Sequence, residues 1–149
     1  MIMKNILVAV DFSPVTDAVL NLAFQVGLAF KSLIHVIHVA PPDPDFLGYE
    51  TGPKTVRDQV ARHWHEEHKK LQAYAEGLKR QGVSAKALLI QGVTVEKILE
   101  EVKNTQAELI ILGSHRHGPV HDVLLGSVSR EVLKKAPCPV LVVPGSARA

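Results

Sequence analysis

The stretch Ile6–Val10 (ILVAV), followed at once by Asp11, decides the fold. Each of its positions is apolar, as in a strand that helices cover on both faces; a strand with one solvated face alternates apolar and polar residues instead. The run Leu109–Leu112 (LIIL) has the same character. Two such strands predict a parallel sheet inside a layered α/β domain.

Helical patterns separate these strands from others. Ser13 suits an N-cap and Pro14 the first helical position, and the apolar spacing as far as Phe30 predicts the first helix. The other predicted elements are a strand over Leu33–Ala40, a helix from Thr55 to about Gln81, a strand over Lys86–Gln91, a helix around Val95–Val102, a strand over Glu108–Gly113, a helix around Val128–Ala136 and a strand over Val140–Val143. The alternation of five strands with four helices predicts one doubly wound α/β domain over residues 1–149, with helices on both faces of a parallel sheet.

Composition and charge argue against several classes of protein. Hydrophobic residues make up 46% of the chain and charged residues 21%, as in an average globular protein. The net charge is +2 and no run of Lys or Arg stands out, so we expect no nucleic-acid binding. The apolar start is too short to span a bilayer, so we expect no membrane insertion. Cys138 is the single cysteine, which favours a reducing, cytoplasmic location and a buried hydrophobic role over a redox role.

Chemistry is expected beyond the carboxyl ends of the strands, because ligands of doubly wound sheets bind where the strand order reverses. Asp11 follows the first strand, and the segment from Gly113 to Ser129 follows the fourth. Gly113 and Gly126 would let a phosphate approach the backbone, and the helix start at Ser127 would attract negative charge. The alternatives are that Asp11 caps the first helix and that the glycine–serine junction serves no ligand.

The sequence lacks the signatures of common nucleotide enzymes. Pro119-Val120 stands after Gly118, where a P-loop would have Lys and Ser or Thr. There is neither a Gly-x-Gly-x-x-Gly turn nor a Gly-x-Ser-x-Gly elbow. The histidines at positions 63–68 and 115–121 show no recognised metal spacing. We therefore expect no catalytic residues and no metal-ligating side chains.

The chain resembles the universal stress protein family over essentially its whole length. The family motif reads Gly, two residues, Gly, nine residues, Gly and Ser or Thr, and Gly113, Gly126 and Ser127 match it. The likeness extends to the opening run ILVAVDFS at 6–13, the pair His38-Val39 and the closing run PCPVLVVP at 137–144. The resemblance implies a Rossmann-like sheet of strand order 3-2-1-4-5 and a bound adenine nucleotide (ATP, AMP or ADP) with Mg²⁺.

The resemblance also implies roles for single positions. Asp11 would lie by the ribose or the metal-phosphate, and Val39 would meet adenine through its backbone. Glycines and hydroxyls at the start of the last helix would hold the phosphates. The expected nucleotide-binding residues are Ala9, Val10, Asp11, Val39, Leu112, Gly113, His115, Arg116, Gly126, Ser127, Val128 and Ser129.

Arg116 departs from the motif, since it stands at the second glycine position. Its side chain would either block the phosphate and resist a left-handed backbone, at about 1–2 kcal/mol, or contact the phosphate directly, with Gly118 supplying the lost freedom. The leading hypothesis is a nucleotide-binding regulatory or stress-response protein. The alternatives are a nucleotide-free interaction module and a slow ATPase or autophosphorylating protein.

The last predicted strand, Val140–Val143, lies at a sheet edge in the implied order. Unpaired backbone groups of an edge strand invite another chain. We therefore expect a homodimer through this strand, as the resemblance also implies, and leave open a further protein partner.

Overall fold

The computed structural model describes residues 2–42, 54–114 and 125–145, with the backbone alone for residues 54–57. Strands and helices alternate along these described ranges. In chain order they are β1 (Asn5–Ala9), α1 (Thr16–Phe30), β2 (Leu33–Ala40), α2 (Lys54–Arg80), β3 (Ser84–Gln91), α3 (Thr94–Thr105), β4 (Leu109–Ser114), α4 (Ser127–Lys135) and β5 (Val140–Pro144).

The strands form one five-stranded sheet in the order β3-β2-β1-β4-β5. All of its pairings are parallel, and central β1 has Ile34 of β2 and Leu109 of β4 on either side of Ile6. The expected doubly wound sheet of order 3-2-1-4-5 is confirmed. The strand order reverses between β1 and β4, so their carboxyl ends lie side by side.

The apolar run of β1 is explained by two core layers, one on each face of the sheet. Ile6 and Val8 point into a cluster with residues of α1 and α2, such as Val19 and Leu71. Leu7 points into the opposite cluster with residues of α3 and α4. Because successive side chains of a strand alternate between faces, a strand between two helical layers needs an apolar residue at every position.

The start of α1 differs from the prediction. The helix begins at Thr16, with Val15 as N-cap and no side-chain capping bond, so Ser13 is not the cap. Instead, the Ser13 N–H donates to Asp11 Oδ1 at 3.1 Å, and the Thr16 N–H donates to the Ser13 carbonyl at 3.0 Å. Asp11 thus closes a local turn of the kind that Asx residues favour, and α1 begins after this turn.

The long helix α2 covers the face of β2 and β3 with a narrow apolar stripe. Leu71, Ala75 and Leu78 are buried in the core cluster, while most of the other described side chains of the helix are exposed. Its lysines, histidines and glutamates leave it far too polar for a lipid environment. Within the described ranges, no helix combines the length and hydropathy needed to cross a membrane.

Two glycines inside helices give a matched test of the packing. A methyl group at Gly27 of α1 would lie 2.7 Å from Ile34 Cδ1 and 3.0 Å from Val83 Cγ1, whereas one at Gly77 of α2 would meet nothing within 4 Å. We expect Gly77→Ala to stabilise the protein by about 0.5–1 kcal/mol, because alanine loses less backbone entropy in a helix.

For Gly27→Ala we expect a net loss of stability, because overpacking a dense core costs about 1–3 kcal/mol and exceeds that helical gain. Urea unfolding of both variants measures the two free energies. Changes of the same sign would contradict the tight contact between α1 and β2.

Candidate functional site

A cleft of about 230 Å³ opens at the carboxyl ends of the strands, where the strand order reverses. Its walls come from the ends of β1, β2 and β4 and from the first turns of α1, α3 and α4. Residues expected to bind a nucleotide that line it are Ala9, Val10, Asp11, Val39, Leu112, Gly113, Val128 and Ser129. The topology therefore brings together residues that are far apart in the chain.

Two further expected residues, Gly126 and Ser127, are not among the described residues that line this cleft. Gly126 is the N-cap of α4, and Ser127 is its first helical residue; both are exposed. His115 and Arg116 lie outside the described residues. Whether Arg116 blocks or contacts a ligand therefore stays a question for experiment.

The turn after β1 is held in an unusual backbone conformation. Phe12 has φ 60°, in the left-handed region that bulky residues rarely adopt. Its ring packs against the His38 ring, with centroids 4.5 Å apart, and lies 6.0 Å from the Tyr74 ring. His38 Nδ1 also donates to the Val10 carbonyl at 2.7 Å. Contacts from β2 and α2 thus fix the turn that carries Asp11.

Asp11 takes the expected position at the cleft but not the alternative role of helix cap. Its carboxylate accepts the Ser13 N–H, two residues on, and α1 begins only at Thr16. Asp11 is exposed while lining the cleft. The carboxylate can therefore meet a ligand at the same time as it closes the turn.

Packing alone requires a glycine at position 113, whether or not a ligand binds nearby. A Cβ at this position would lie 2.5 Å from Val15 Cγ1 and 3.1 Å from Val19 Cγ2. The absence of a side chain at Gly113 allows β4 to approach α1, which brings the β4 side and the α1 side of the cleft close together. The Gly113 carbonyl also accepts the Ser129 hydroxyl at 3.3 Å.

The first turn of α4 is open toward solvent and suits an anion. Among the residues that the structure describes, none lies within 4 Å of a Cβ placed at Gly126, and none caps the helix through its side chain. No acidic residue lies in the first turn, while Lys134 and Lys135 lie in the last. The positive end of the helix dipole and its free N–H groups are therefore available to a phosphate.

Sequence reasoning missed polar side chains that also line the cleft: Thr16, His38 and Thr94. The Thr16 hydroxyl is buried and has no hydrogen-bond partner within the described part of the chain. Thr94 opens α3, directly after β3. The rule that ligands meet the carboxyl ends of strands points to Thr94, but no local pattern shows which way Thr16 turns.

Two ionisable groups outside the cleft are shaped by burial. Burial raises the pKa of the Cys138 thiol, which keeps it protonated and fits its role as a small packing residue. Burial lowers the pKa of His35, and the charge of Lys86 lowers it further. His35 is therefore neutral near pH 7, and its Nε2 lies 3.1 Å from Asn5 Oδ1.

No metal centre is evident among the described side chains. Over residues 2–42, 58–114 and 125–145, no group of three or more His, Cys, Asp or Glu is arranged to hold an ion. The histidines at 115–121 lie outside these ranges.

The fold and the cleft define a doubly wound α/β protein with an open cleft at its topological switch point. Comparison with known sequences and structures identifies the family. The chain matches the sequence profile of the Universal stress protein family over residues 3–144 and belongs to that family.

Similar proteins span nearly the full chain. A universal stress protein from Thermus aquaticus is 34% identical over 141 residues, which is 94% of this chain and 98% of that one. The structure of MJ0577 of Methanocaldococcus jannaschii has a TM-score of 0.75 at 28% identity, covering 99% and 100% of the two chains. An Archaeoglobus fulgidus universal stress protein in complex with dAMP has a TM-score of 0.65 at 22% identity, covering 96% and 99%.

The two cleft glycines should respond differently to alanine. We expect Gly113→Ala to destabilise the protein by about 1–3 kcal/mol, because its methyl group would collide with Val15. Gly126→Ala should destabilise the protein by no more than about 0.5–1 kcal/mol, because its φ of −57° suits any residue, no described residue lies within 4 Å, and the cost is that of alanine as a poorer N-cap than glycine. Chemical denaturation measures both, and a tolerated Gly113→Ala would show that the contact with Val15 relaxes freely.

Proposed function

We propose that this protein binds an adenine nucleotide (ATP, AMP or ADP) in the cleft and acts as a regulatory or stress-response dimer. The observation that carries the proposal is the meeting of Asp11, Val39, Gly113 and Ser129 around one cleft at the switch point. The sequence alone predicted each of these residues to bind a nucleotide. A doubly wound sheet uses this location for ligands regardless of family.

The phosphate end of the site is the start of α4. Gly126 leaves room for a phosphate to reach the backbone, since none of the described residues lies within 4 Å of the position of a Cβ there. Ser127 is exposed at the first helical position and can donate its hydroxyl. Ser129 is buried and already donates to the Gly113 carbonyl, so it links the phosphate end of the site to β4.

The base and ribose end is the apolar part of the cleft. Val10, Val39 and Ile98 line it, which suits a flat heteroaromatic ring, and the backbone of Val39 would read the adenine edge. Asp11 would receive the ribose hydroxyls or the Mg²⁺ on the phosphates. The ion would neutralise phosphate charge, and the carboxylate oxygens of Asp11 are ligands that Mg²⁺ prefers.

The solved relative in complex with dAMP supports an adenine nucleotide as the ligand class. The nucleotide-free interaction module is the second candidate, and one observation favours it: Arg116 stands where the motif has its second glycine. Slow ATP hydrolysis or autophosphorylation at Ser127 or Ser129 is the remaining alternative; within the described residues, the Ser129 hydroxyl donates to the Gly113 carbonyl rather than to a general base.

The first test is to denature the purified protein and identify any released nucleotide by mass spectrometry. A thermal shift with Mg-ATP, with Mg-GTP as the specificity control, accompanies it, because a bound ligand stabilises the native state. Near-stoichiometric adenine nucleotide or a shift with ATP alone supports the proposal. If both signals are absent, the result favours the nucleotide-free interaction module and a blocking role for Arg116.

A substitution at the phosphate end makes the test specific. We expect Gly126→Val to abolish the ATP shift while leaving the nucleotide-free melting temperature within a few degrees, because the new side chain fills the space a phosphate needs. Gly77→Ala is the matched control, since its site is also open but lies on α2, away from the cleft. Unchanged nucleotide affinity in Gly126→Val would show that phosphate does not bind at α4.

The proposed dimer uses the β5 edge of the sheet. β3 and β5 are both edge strands, but β3 carries Lys86 within the strand, a charge of the kind that discourages edge pairing. β5 carries no charged residue, and Leu141 is 40% exposed. These features favour β5 as the edge that pairs with a second copy.

Leu141→Lys tests this interface because it places a charge on the exposed face of β5 without entering a core cluster. We expect it to shift the protein from dimer to monomer in size-exclusion chromatography with light scattering. Leu133→Lys on α4 is the control, because Leu133 is 42% exposed and belongs to a helix. Dimers of unaltered stability in Leu141→Lys would exclude the β5 edge.

A further inference from the structure

His38 stands between the cleft and the long helix α2. It lies near the carboxyl end of β2, lines the cleft, and has 11% of its side-chain surface exposed. One ring nitrogen faces the end of β1 and the other faces α2. The ring therefore touches both the turn that carries Asp11 and the helix behind it.

The hydrogen-bond partner of Nδ1 determines where one proton of the His38 ring lies. The Val10 carbonyl can only accept, so the contact of 2.7 Å requires a proton on His38 Nδ1. In the neutral ring Nε2 then carries a lone pair. That lone pair faces Glu67 Oε2 at 3.7 Å, so two acceptors would point at each other.

The carboxylate of Glu67 lacks a hydrogen-bond donor on the side that faces His38. Its side chain is 13% exposed, and Oε1 lies 2.9 Å from Nε2 of His63. Oε2 is buried from water and has no hydrogen-bond donor among the described residues. An unsatisfied buried carboxylate oxygen is costly, and a proton on His38 Nε2 would supply its missing donor after a movement of about 0.5–1 Å.

We propose that His38 is a positioning residue that takes up a proton shared with Glu67, and that this proton ties α2 to the Val10–Ser13 turn and strengthens binding of the anionic nucleotide. The inference rests on the proposed function. Two effects act in the same direction: the imidazolium adds positive charge beside the cleft, and the tightened ring holds Phe12 and the Val10 carbonyl in place. Binding is therefore tighter at lower pH.

Other charged and titratable groups also lie around the His38 ring. On α2 they are Glu67, its partner His63, Tyr74 and Lys70, whose Nζ lies 5.7 Å from the Phe12 ring centroid. On the β1 side the neighbour is Asp11, and on α1 it is Asp17, which raises the pKa of Tyr74 after the larger effect of burial. On β3, Lys86 pairs with His35 and lies on the opposite face of the sheet from His38.

The test compares the pH dependence of nucleotide binding in three proteins. Isothermal titration with Mg-ATP between about pH 5.5 and pH 8 is run on wild type, His38→Asn and Glu67→Gln, within the range where histidine titrates. Asparagine keeps an amide donor for the Val10 carbonyl but has no titrating ring. His65→Asn is the control, because His65 is an exposed histidine of α2.

In wild type we expect affinity to fall about threefold per pH unit across part of this range, below the limit of about tenfold that one proton sets. Protonation of the phosphates and of other histidines adds equally to all variants, so the difference from His38→Asn isolates the ring. That difference should move to lower pH in Glu67→Gln and stay unchanged in His65→Asn. Equal slopes in wild type and His38→Asn would overturn the coupling even if ATP binds well.

Long-range ¹H–¹⁵N spectra of the histidine rings provide a readout that does not depend on nucleotide. We expect His38 to carry its proton on Nδ1 at pH 8 and on both nitrogens at low pH, with the transition moved by Glu67→Gln. A proton on Nε2 alone at pH 8, or a transition unaffected by Glu67→Gln, would overturn the shared proton. Absence of ATP binding at every pH in wild type would overturn the proposed function and the coupling together, while these spectra would still decide the proton sharing.

Discussion

Burial of β1 on both faces is the constraint on which the rest of the structure depends. Its odd and even side chains enter different core clusters, so neither face of the sheet can be left to solvent. Parallel strands need crossover connections, and the helices in those connections supply the two covering layers. The reversal of strand order on either side of β1 follows, and it places the ends of β1 and β4 at one cleft.

The cleft depends on close packing as much as on polar residues. Gly113 brings β4 against Val15 and Val19 of α1, and a side chain there would push the two walls apart. Across the cleft, Phe12 is held at φ 60° by aromatic neighbours from β2 and α2. A bulky residue in a left-handed conformation persists only where its surroundings determine it, and such strain is common at ligand sites.

Membership of the universal stress protein family accounts for both the sheet and the position of the cleft. It also gives Gly113 two explanations that do not exclude each other. Packing of Gly113 against α1 requires a glycine with or without a ligand, whereas no packing contact among the described residues requires a glycine at position 126. The open space at Gly126 is therefore more informative about a phosphate than the close contact at Gly113.

Local sequence patterns determined the order and type of the elements in the described ranges, because apolar periodicity records which faces are buried. They also located most of the cleft residues, since a strand followed by Asp11 or Gly113 marks a carboxyl end. The start of α1 was predicted wrongly, because the Ser13-Pro14 pattern does not contain the turn in which Phe12 takes φ 60° and the Ser13 N–H donates to Asp11 before the helix begins.

Only the tertiary structure decided which side chains meet across the sheet. His38 and Glu67 are 29 positions apart in the chain, and their contact depends on how α2 lies over β2. The burial of the Thr16 hydroxyl and the closeness of Gly113 to Val15 likewise arise when α1 docks against β4. Apolar periodicity shows which face of an element is buried. The position of one element along another is set by packing between residues distant in sequence.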